Sequence, residues 1–527
     1  MVDLLAPPDR AGEAGRPGAA GGPGETGAPP ARDEPAGPTP VPSWWRKRPY
    51  PLLGRWLVLV AAVGLAFHQT LVSVAVQSTN GDPLAYLLLL PAWGVLLLFG
   101  TQLRRGRDLD IHDRQVDWVL ATGLAGLILM LDELLRPRLG DTAGLVRIDI
   151  LALVLFVMLA SILLFGTRAT GQSWAAWFFL LACWPLPYRL IGAALGGTTD
   201  TYGLLNVALS TAAVVVASGR PLRRRLGNGA LTLVVGGIAL ATLSISLPPV
   251  AVEVVPSLVA LSAVVAVDVR RHRGTRWMPA PSAGPSSVVK KPIAAMVALL
   301  LLGGALGMFA QFAPETISAQ SLPVTGPGWT STAVVPPGWA THGRQAESWA
   351  SRYFGTGSSW YRYRFATGSG SNRQHVMVDA LTASTVGPLS VYPAISCYRL
   401  FVPYVQSATP VSLGHGVEAT MIYANAYSAP SPVQAQWALI TWTWKIPGPV
   451  TTAYQRVTVL TLEGAATVAG FPAPAAPGAN NSVRTTFTDI LRGVSTTASP
   501  APTASTMNRL VAFSKQVVAR QSAASPT

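Results

Sequence analysis

Charged side chains are scarce in this 527-residue chain, where aspartate, glutamate, lysine and arginine together make up only 12% of the residues. A typical soluble domain contains about 25%. Half of the residues are hydrophobic, and many of them lie in long uninterrupted runs. The shortage of charge therefore excludes an ordinary soluble domain and predicts an integral membrane protein.

Acidic residues are less common than basic residues. The chain has 24 acidic and 39 basic residues, which gives a formal net charge of +15. The basic residues cluster in short loops between apolar runs. Membrane topology and anionic lipid headgroups account for such clusters more simply than nucleic acid does. We expect membrane lipids as partners and no nucleic acid.

Cysteine occurs only twice, as Cys183 in an apolar run and as Cys397 in the more polar C-terminal third. A disulfide would have to join the middle of a membrane to its outside, which the short reach of the bond makes improbable. The sequence has no metal-spaced cluster of histidines and cysteines, no phosphate loop and no dinucleotide fingerprint. We therefore expect no metal and no other cofactor.

The apolar runs are long enough to predict about nine transmembrane helices. The loops between them alternate between arginine-rich and arginine-poor, except for one ambiguous loop that carries Arg136, Arg138 and Arg147. Arginine-rich loops stay in the cytoplasm, which predicts a cytoplasmic N-terminus and an extracytoplasmic C-terminus. The expected spans lie near residues 52–76, 84–101, 116–133, 148–166, 173–191, 203–218, 229–247, 250–268 and 292–312.

The predicted fold is a membrane all-α helical bundle followed by an extracytoplasmic α+β domain. We expect a disordered cytoplasmic tail at 1–45, a multispanning domain at 46–313, a linker at 314–338 and the α+β domain at 339–527. Period-two alternation with β-branched and aromatic residues predicts strands at 375–379, 437–444 and 457–462. Short helices are expected at 345–354 and 505–520.

Ionisable residues near the predicted outer ends of the spans are the first candidates for a site, because charge at membrane depth is costly. Two interpretations remain open. The residues either form ion pairs that hold helix ends in place, or they line an outward-facing polar pocket for a peptide terminus or a polar headgroup. The set comprises Asp132, Glu133, Arg136, Arg138, Arg147, Asp149, Arg189 and Glu253.

The two cysteines are the second candidates, because a cysteine nucleophile needs a nearby base or positive charge. Cys183 lies about two turns from the outer end of its helix and Arg189 about one to two turns further out, so the two could share an outer cavity. Cys397 lies in the same domain as His375 and His415. The two glycines that flank His415 would place that histidine on an exposed turn. Each cysteine could equally be a buried structural residue.

The membrane half resembles the exosortase/archaeosortase family of multispanning cysteine transpeptidases in two segments. One is DPLAYL at 82–87, followed by LPAW at 90–93, and the other is WFFLLACWPLPYRL at 177–190. The C-terminal third is similar to the exported accessory domain of that family. The similar segments are WYRY at 360–363, YPAISCY at 392–398 and LITWTW at 439–444.

The resemblance implies cysteine-dependent cleavage and transfer of surface proteins at a C-terminal sorting signal, or a role in polysaccharide export. The family's own nucleophile segment is matched most nearly by VEVVPSL at 252–258, which has Pro256 at the cysteine position.

The rival hypothesis is a non-catalytic membrane-anchored scaffold or receptor with an exported binding domain. A transporter is disfavoured because the sequence shows neither paired half-repeats nor the broken helices that such folds have. The aromatic segment at 360–365 could be a glycan or peptide platform, or a strand with one packed face.

Overall fold

The structure is a computed structural model, and the predicted tail and the basic loops at 103–113 and 272–292 lie outside the residues it describes. Residues Leu53–Thr527 belong to one compact unit. The described residues are 50–102, 114–139, 142–218, 222–271, 293–310, 312, 317, 319–326, 328–329, 334–370, 373–398, 400–405, 409–428, 434–448, 452–463, 471–478, 482–483, 486–487, 490 and 503–523.

The apolar runs fold into helices, because a helix satisfies its backbone hydrogen bonds internally and can therefore enter lipid. Ten helices of nine or more residues lie in the described part of the bundle. They are α1 (Tyr50–Thr79), α2 (Leu90–Gln102), α3 (Arg114–Met130), α4 (Ile148–Phe165), α5 (Trp174–Ala182), α6 (Pro185–Ala194), α7 (Thr199–Ala217), α8 (Leu222–Leu243), α9 (Pro249–Arg271) and α10 (Ile293–Phe309).

Six helical segments in the described part of the chain are long and apolar enough to cross a membrane. Helices α5 and α6 pass the same test only together, and they are bent by 56° at Cys183 and Trp184. Large apolar side chains such as Leu57, Phe178 and Leu301 are exposed on the bundle surface, as a lipid-facing surface requires. The chain is a multi-pass membrane protein, and the count of nine spans stays a prediction.

The C-terminal part contains an antiparallel sheet of eight strands. Seven strands follow the order β1-β2-β3-β8-β7-β6-β4, and β5 pairs with β6 outside this path. The strands predicted at 375–379, 437–444 and 457–462 are confirmed. The strands are β1 (Ala340–Glu347), β2 (Ser359–Thr367), β3 (Gln374–Ala383), β4 (Leu400–Val405), β5 (Thr409–Gly414), β6 (Val417–Ser428), β7 (Gln434–Ile446) and β8 (Ala453–Leu462).

One helix prediction in this domain is confirmed and another needs correction. The helix expected at 505–520 is present as α11 (Ala504–Ala523), and it packs Leu510, Phe513 and Val517 against one face of the sheet. The helix expected at 345–354 is wrong in its first half. Residues 345–347 belong to edge strand β1, residues 348–349 form a turn, and the helix begins only at Ala350. The pairing of β1 with β2 overrides the local helical pattern.

Part of the predicted linker packs against the sheet. Trp329 is fully buried beside Tyr363 and Phe365. The backbone N–H of Thr325 donates to the carbonyl of Lys445 on β7 at 3.0 Å. This segment therefore completes the core on the α11 side of the sheet.

The other face of the sheet packs against one end of the bundle, which we call the junction. Leu145 and Leu186 of the bundle share a hydrophobic core with Trp360, Leu389 and other residues of the sheet domain. The N–H of Gly387 donates to the carbonyl of Asn80 at 3.0 Å. Gly197, at a φ of +69°, lies so close to the backbone of Arg352 that a β-carbon there would clash.

Candidate functional site

Arg147 and Asp149 form a fully buried ion pair at the junction. The pair is bidentate, with Nε donating to Oδ1 at 2.9 Å and a terminal nitrogen donating to Oδ2 at 2.6 Å. The other terminal nitrogen of Arg147 donates to the side chain of Gln77. Arg147 has a φ of +52°, which is rare for a residue with a side chain. This conformation joins the short helix Ala143–Val146 to α4 and directs the guanidinium inward.

Arg189 forms the second buried pair and connects three segments of the chain. One terminal nitrogen donates to Oδ2 of Asp82 at 2.6 Å. The other donates to the carbonyls of Gly144 at 2.7 Å and Leu145 at 3.1 Å. Arg189 lies in α6, just after the break that follows Cys183, so the bend between α5 and α6 positions the guanidinium.

Three tyrosines stack beside these pairs. The rings of Tyr86 and Tyr188 are 3.8 Å apart, and those of Tyr188 and Tyr202 are 5.6 Å apart. The hydroxyl of Tyr86 donates to the carbonyl of Cys183 at 2.8 Å, and that of Tyr188 donates to Asn206 at 2.9 Å. All three rings belong to the apolar core of the bundle.

Glu253 lies near the start of α9 and is buried at the same end of the bundle. The side-chain amide of Asn206 donates to its backbone carbonyl at 2.8 Å. Its carboxylate oxygen Oε2 accepts no hydrogen bond within the described structure, and neither does the hydroxyl of Ser257 one turn further on. Arg147, Asp149, Arg189, Asp82 and Glu253 therefore form a polar cluster at the junction, which we call the junction cluster.

The remaining predicted pocket residues lie in a different helical segment. Asp132 and Glu133 belong to a π-helical turn at Leu131–Leu135, and Arg136 follows it. Asp132 is buried and lies 3.7 Å from Arg136, whereas Glu133 is exposed. The predicted set of ionisable residues is thus divided between the π-helical turn after α3 and the junction cluster.

Both candidate nucleophiles are buried. Cys183 lies at the break between α5 and α6, and Cys397 has no exposed surface. The sulfur of Cys397 lies 3.8 Å from a guanidinium nitrogen of Arg456 and 3.9 Å from the hydroxyl of Ser396. Burial raises the pKa of the Cys397 thiol, and the positive charge of Arg456 offsets this only in part. The thiol is therefore protonated at neutral pH.

The histidines proposed as bases are not hydrogen-bonded to Cys397 in the described structure. His415 is exposed on the turn between β5 and β6, with a φ of +52° between two glycines of positive φ. His375 is in β3, where burial and the nearby Arg373 lower its pKa. Cys397 is instead held by Arg456, whose guanidinium donates to the carbonyls of Leu389 and Tyr392.

A second buried ionic network lies within the sheet domain and was not anticipated. Arg362 on β2 lies directly opposite Asp379 on β3 and forms a bidentate pair at 2.8 and 2.6 Å. The Tyr398 hydroxyl donates to Asp379 at 2.7 Å, and the Trp360 indole donates to it at 3.3 Å. Burial, together with the Asp379 carboxylate, raises the pKa of Tyr398 well above its ordinary value.

The aromatic segment at 360–365 is part of strand β2, and its side chains pack on both faces of the sheet. Trp360 and Arg362 lie on the face that packs toward the bundle, whereas Tyr363 and Phe365 lie on the face that packs against α11. The sequence feature that could have identified the network is an inward-facing arginine, Arg362, paired with an aspartate on the next strand, Asp379. That pairing depends on the register of β2 and β3, which sequence alone does not provide.

Comparison with known proteins adds no relative. No model of a known protein family, no curated protein and no solved structure matches the chain. Groups of three or more histidine, cysteine, aspartate or glutamate side chains that could hold a metal ion do not occur among the described residues.

Proposed function

We propose that this protein is a non-catalytic scaffold or receptor of the cell envelope, anchored by its bundle and presenting the sheet domain outside the membrane. The single observation that carries the proposal is the burial of both thiols. Cys183 is 2% exposed and Cys397 is 0% exposed. A buried, protonated thiol lacks both the thiolate and the substrate access that nucleophilic catalysis needs.

The orientation of the sheet domain is part of the proposal, and the loops at the junction support it. The contacts of Gly81 with Thr385 and of Gly197 with Arg352 bring two arginine-poor loops against the sheet domain. The positive-inside rule assigns such loops to the extracytoplasmic side. The N-terminus is then cytoplasmic, as nine spans require, with α5 and α6 together counted as one broken span.

The ambiguous basic loop also fits this orientation. Arg147 is neutralised by Asp149 inside the protein, and Arg138 donates to the carbonyl of Ile490 at 3.0 Å. Arg136 lies 3.7 Å from Asp132. Each arginine of the loop therefore has an acidic or carbonyl partner, which explains how a loop with three arginines can be located on the outer side.

A cysteine-dependent, exosortase-like enzyme that processes surface proteins or acts in polysaccharide export is the second candidate. One observation favours it, since Arg456 lies 3.8 Å from the sulfur of Cys397. A neighbouring positive charge is what stabilises a thiolate. Such an enzyme would require the segment that covers Cys397 to move before the thiol could react.

Thiol labelling in intact cells separates the two candidates. We expect a membrane-impermeant maleimide to leave both native cysteines unlabelled from pH 7 to pH 9, and to label them after denaturation in detergent. The control is Ser412→Cys, at an exposed position of β5, which is expected to label rapidly without denaturation. Labelling of native Cys397 at a rate similar to that of the control, together with loss of envelope function in Cys397→Ser, would favour the enzyme.

A further inference from the structure

The charges of the junction cluster do not balance. Arg147 and Arg189 contribute two positive charges, whereas Asp82, Asp149 and Glu253 contribute three negative charges when ionised. All five side chains are buried. Each arginine is already paired, Arg147 with Asp149 and Arg189 with Asp82. When all five groups are ionised, the cluster therefore carries one negative charge in excess, and that charge belongs to Glu253.

An unpaired carboxylate at this depth is costly, so a buried charge is expected to have a partner. Glu253 is about 94% buried, since its exposed fraction is 6%. Its oxygen Oε2 has no hydrogen-bond donor in the described structure. The same is true of the Asp82 oxygen Oδ1, which does not face Arg189. Two carboxylate oxygens therefore lack a positive partner.

These oxygens belong to one neighbourhood. The 3-10 turn Ala85–Leu89, which begins three residues after Asp82, packs against α9, the helix that carries Glu253. Ser257 follows Glu253 by four residues on α9, which places both on the same side of the helix. The Ser257 hydroxyl is fully buried and has no hydrogen-bond partner in the part of the chain that the structure describes. Two carboxylates and one hydroxyl thus offer oxygen atoms without a donor.

We propose that Glu253, Ser257 and Asp82 bind one monovalent alkali cation, such as sodium. Carboxylate and hydroxyl oxygens are hard ligands that suit hard cations. A single positive charge neutralises the cluster, whereas a divalent ion would leave an excess. The cation would strengthen the contact between α9 and the turn that carries Asp82, and so stabilise the junction.

The test is thermal unfolding of the purified full-length protein in lipid nanodiscs. Sodium chloride is compared with N-methyl-D-glucamine chloride at constant ionic strength. We expect sodium at about a hundredfold excess over its Kd to raise the Tm by about 5 °C. Glu253→Gln is expected to abolish the sodium dependence, and Ser257→Ala to weaken sodium binding about tenfold. Glu133→Gln, at an exposed glutamate, serves as the control and should behave as the wild type.

Equilibrium binding of radioactive sodium to the wild-type protein gives a second readout that requires no variant. The expected stoichiometry is one ion per chain. A Tm that is independent of sodium but rises on acidification from pH 8 to pH 5, and does so only when Glu253 is present, would overturn the proposal. In that case a proton on Glu253, and not a cation, would neutralise the cluster. A Tm that depends on neither sodium nor pH would overturn the proposal as well.

Discussion

Replacing Arg362 with alanine is expected to destabilise the sheet domain by about 3–5 kcal/mol, because it leaves a buried carboxylate without its partner. Asp379 would keep only the hydroxyl of Tyr398 and the indole of Trp360. The carbonyl of Pro472, which accepts from Arg362 at 2.6 Å, would lose its donor as well. The measurement is the Tm of the full-length protein, followed by tryptophan fluorescence, and the expected drop is about 10 °C.

Arg364→Ala is the matched control for this prediction. Arg364 is two residues further along β2 on the same face, but it is partly exposed. Its replacement should cost less than about 1 kcal/mol. Equal Tm values for Arg362→Ala and Arg364→Ala would mean that the buried pair does not hold the sheet domain together.

The pair of Arg189 and Asp82 is expected to couple the bundle to the sheet domain, and a double-mutant cycle measures that coupling. Arg189→Met alone should cost about 3–5 kcal/mol, because Asp82 remains buried without its counter-ion. Asp82→Asn alone should cost a similar amount, since Arg189 then lacks its counter-ion. The double variant should be more stable than the sum of the two losses predicts, by about 2 kcal/mol or more.

The cycle isolates the ion pair from the other contacts of Arg189. The carbonyls of Gly144 and Leu145 lose their donor in both variants that lack the arginine, so their effect cancels. Arg138→Ala, which removes an exposed arginine that donates to Ile490, should change the Tm by only a few degrees. Simple additivity of the two single variants would contradict a functional ion pair at the junction.

The sequence predicts the helices of the bundle well, because apolar runs and the chemistry of lipid leave few alternatives. Each of the nine expected spans overlaps a helix or a pair of helices. The break at Cys183 was not predicted, although Pro185 and Pro187 are its physical cause. Proline cannot donate the backbone hydrogen bond that a continuous helix needs at those positions. In the sheet domain, alternation predicts β3, β7 and β8, whereas β1 forms only because β2 pairs with it.

The candidate site could be predicted only in part. The rule that charge at membrane depth is exceptional identifies Arg147, Asp149, Arg189 and Glu253. It does not identify their partners. Arg147 pairs with Asp149, two residues later, whereas Arg189 pairs with Asp82, 107 residues earlier. The second partner depends on the packing of separate helices. Likewise, the burial of Cys397 depends on how Arg456 and the turn at 392–398 fold over it, which no local pattern encodes.

The position of the sheet domain outside the membrane is the claim on which the proposed function depends. Fusing alkaline phosphatase or green fluorescent protein after Thr527 in a bacterial host tests it directly, because the first is active only outside the cytoplasm and the second fluoresces only inside. We predict an active phosphatase and a dark fluorescent protein. A fluorescent fusion with inactive phosphatase would contradict the account.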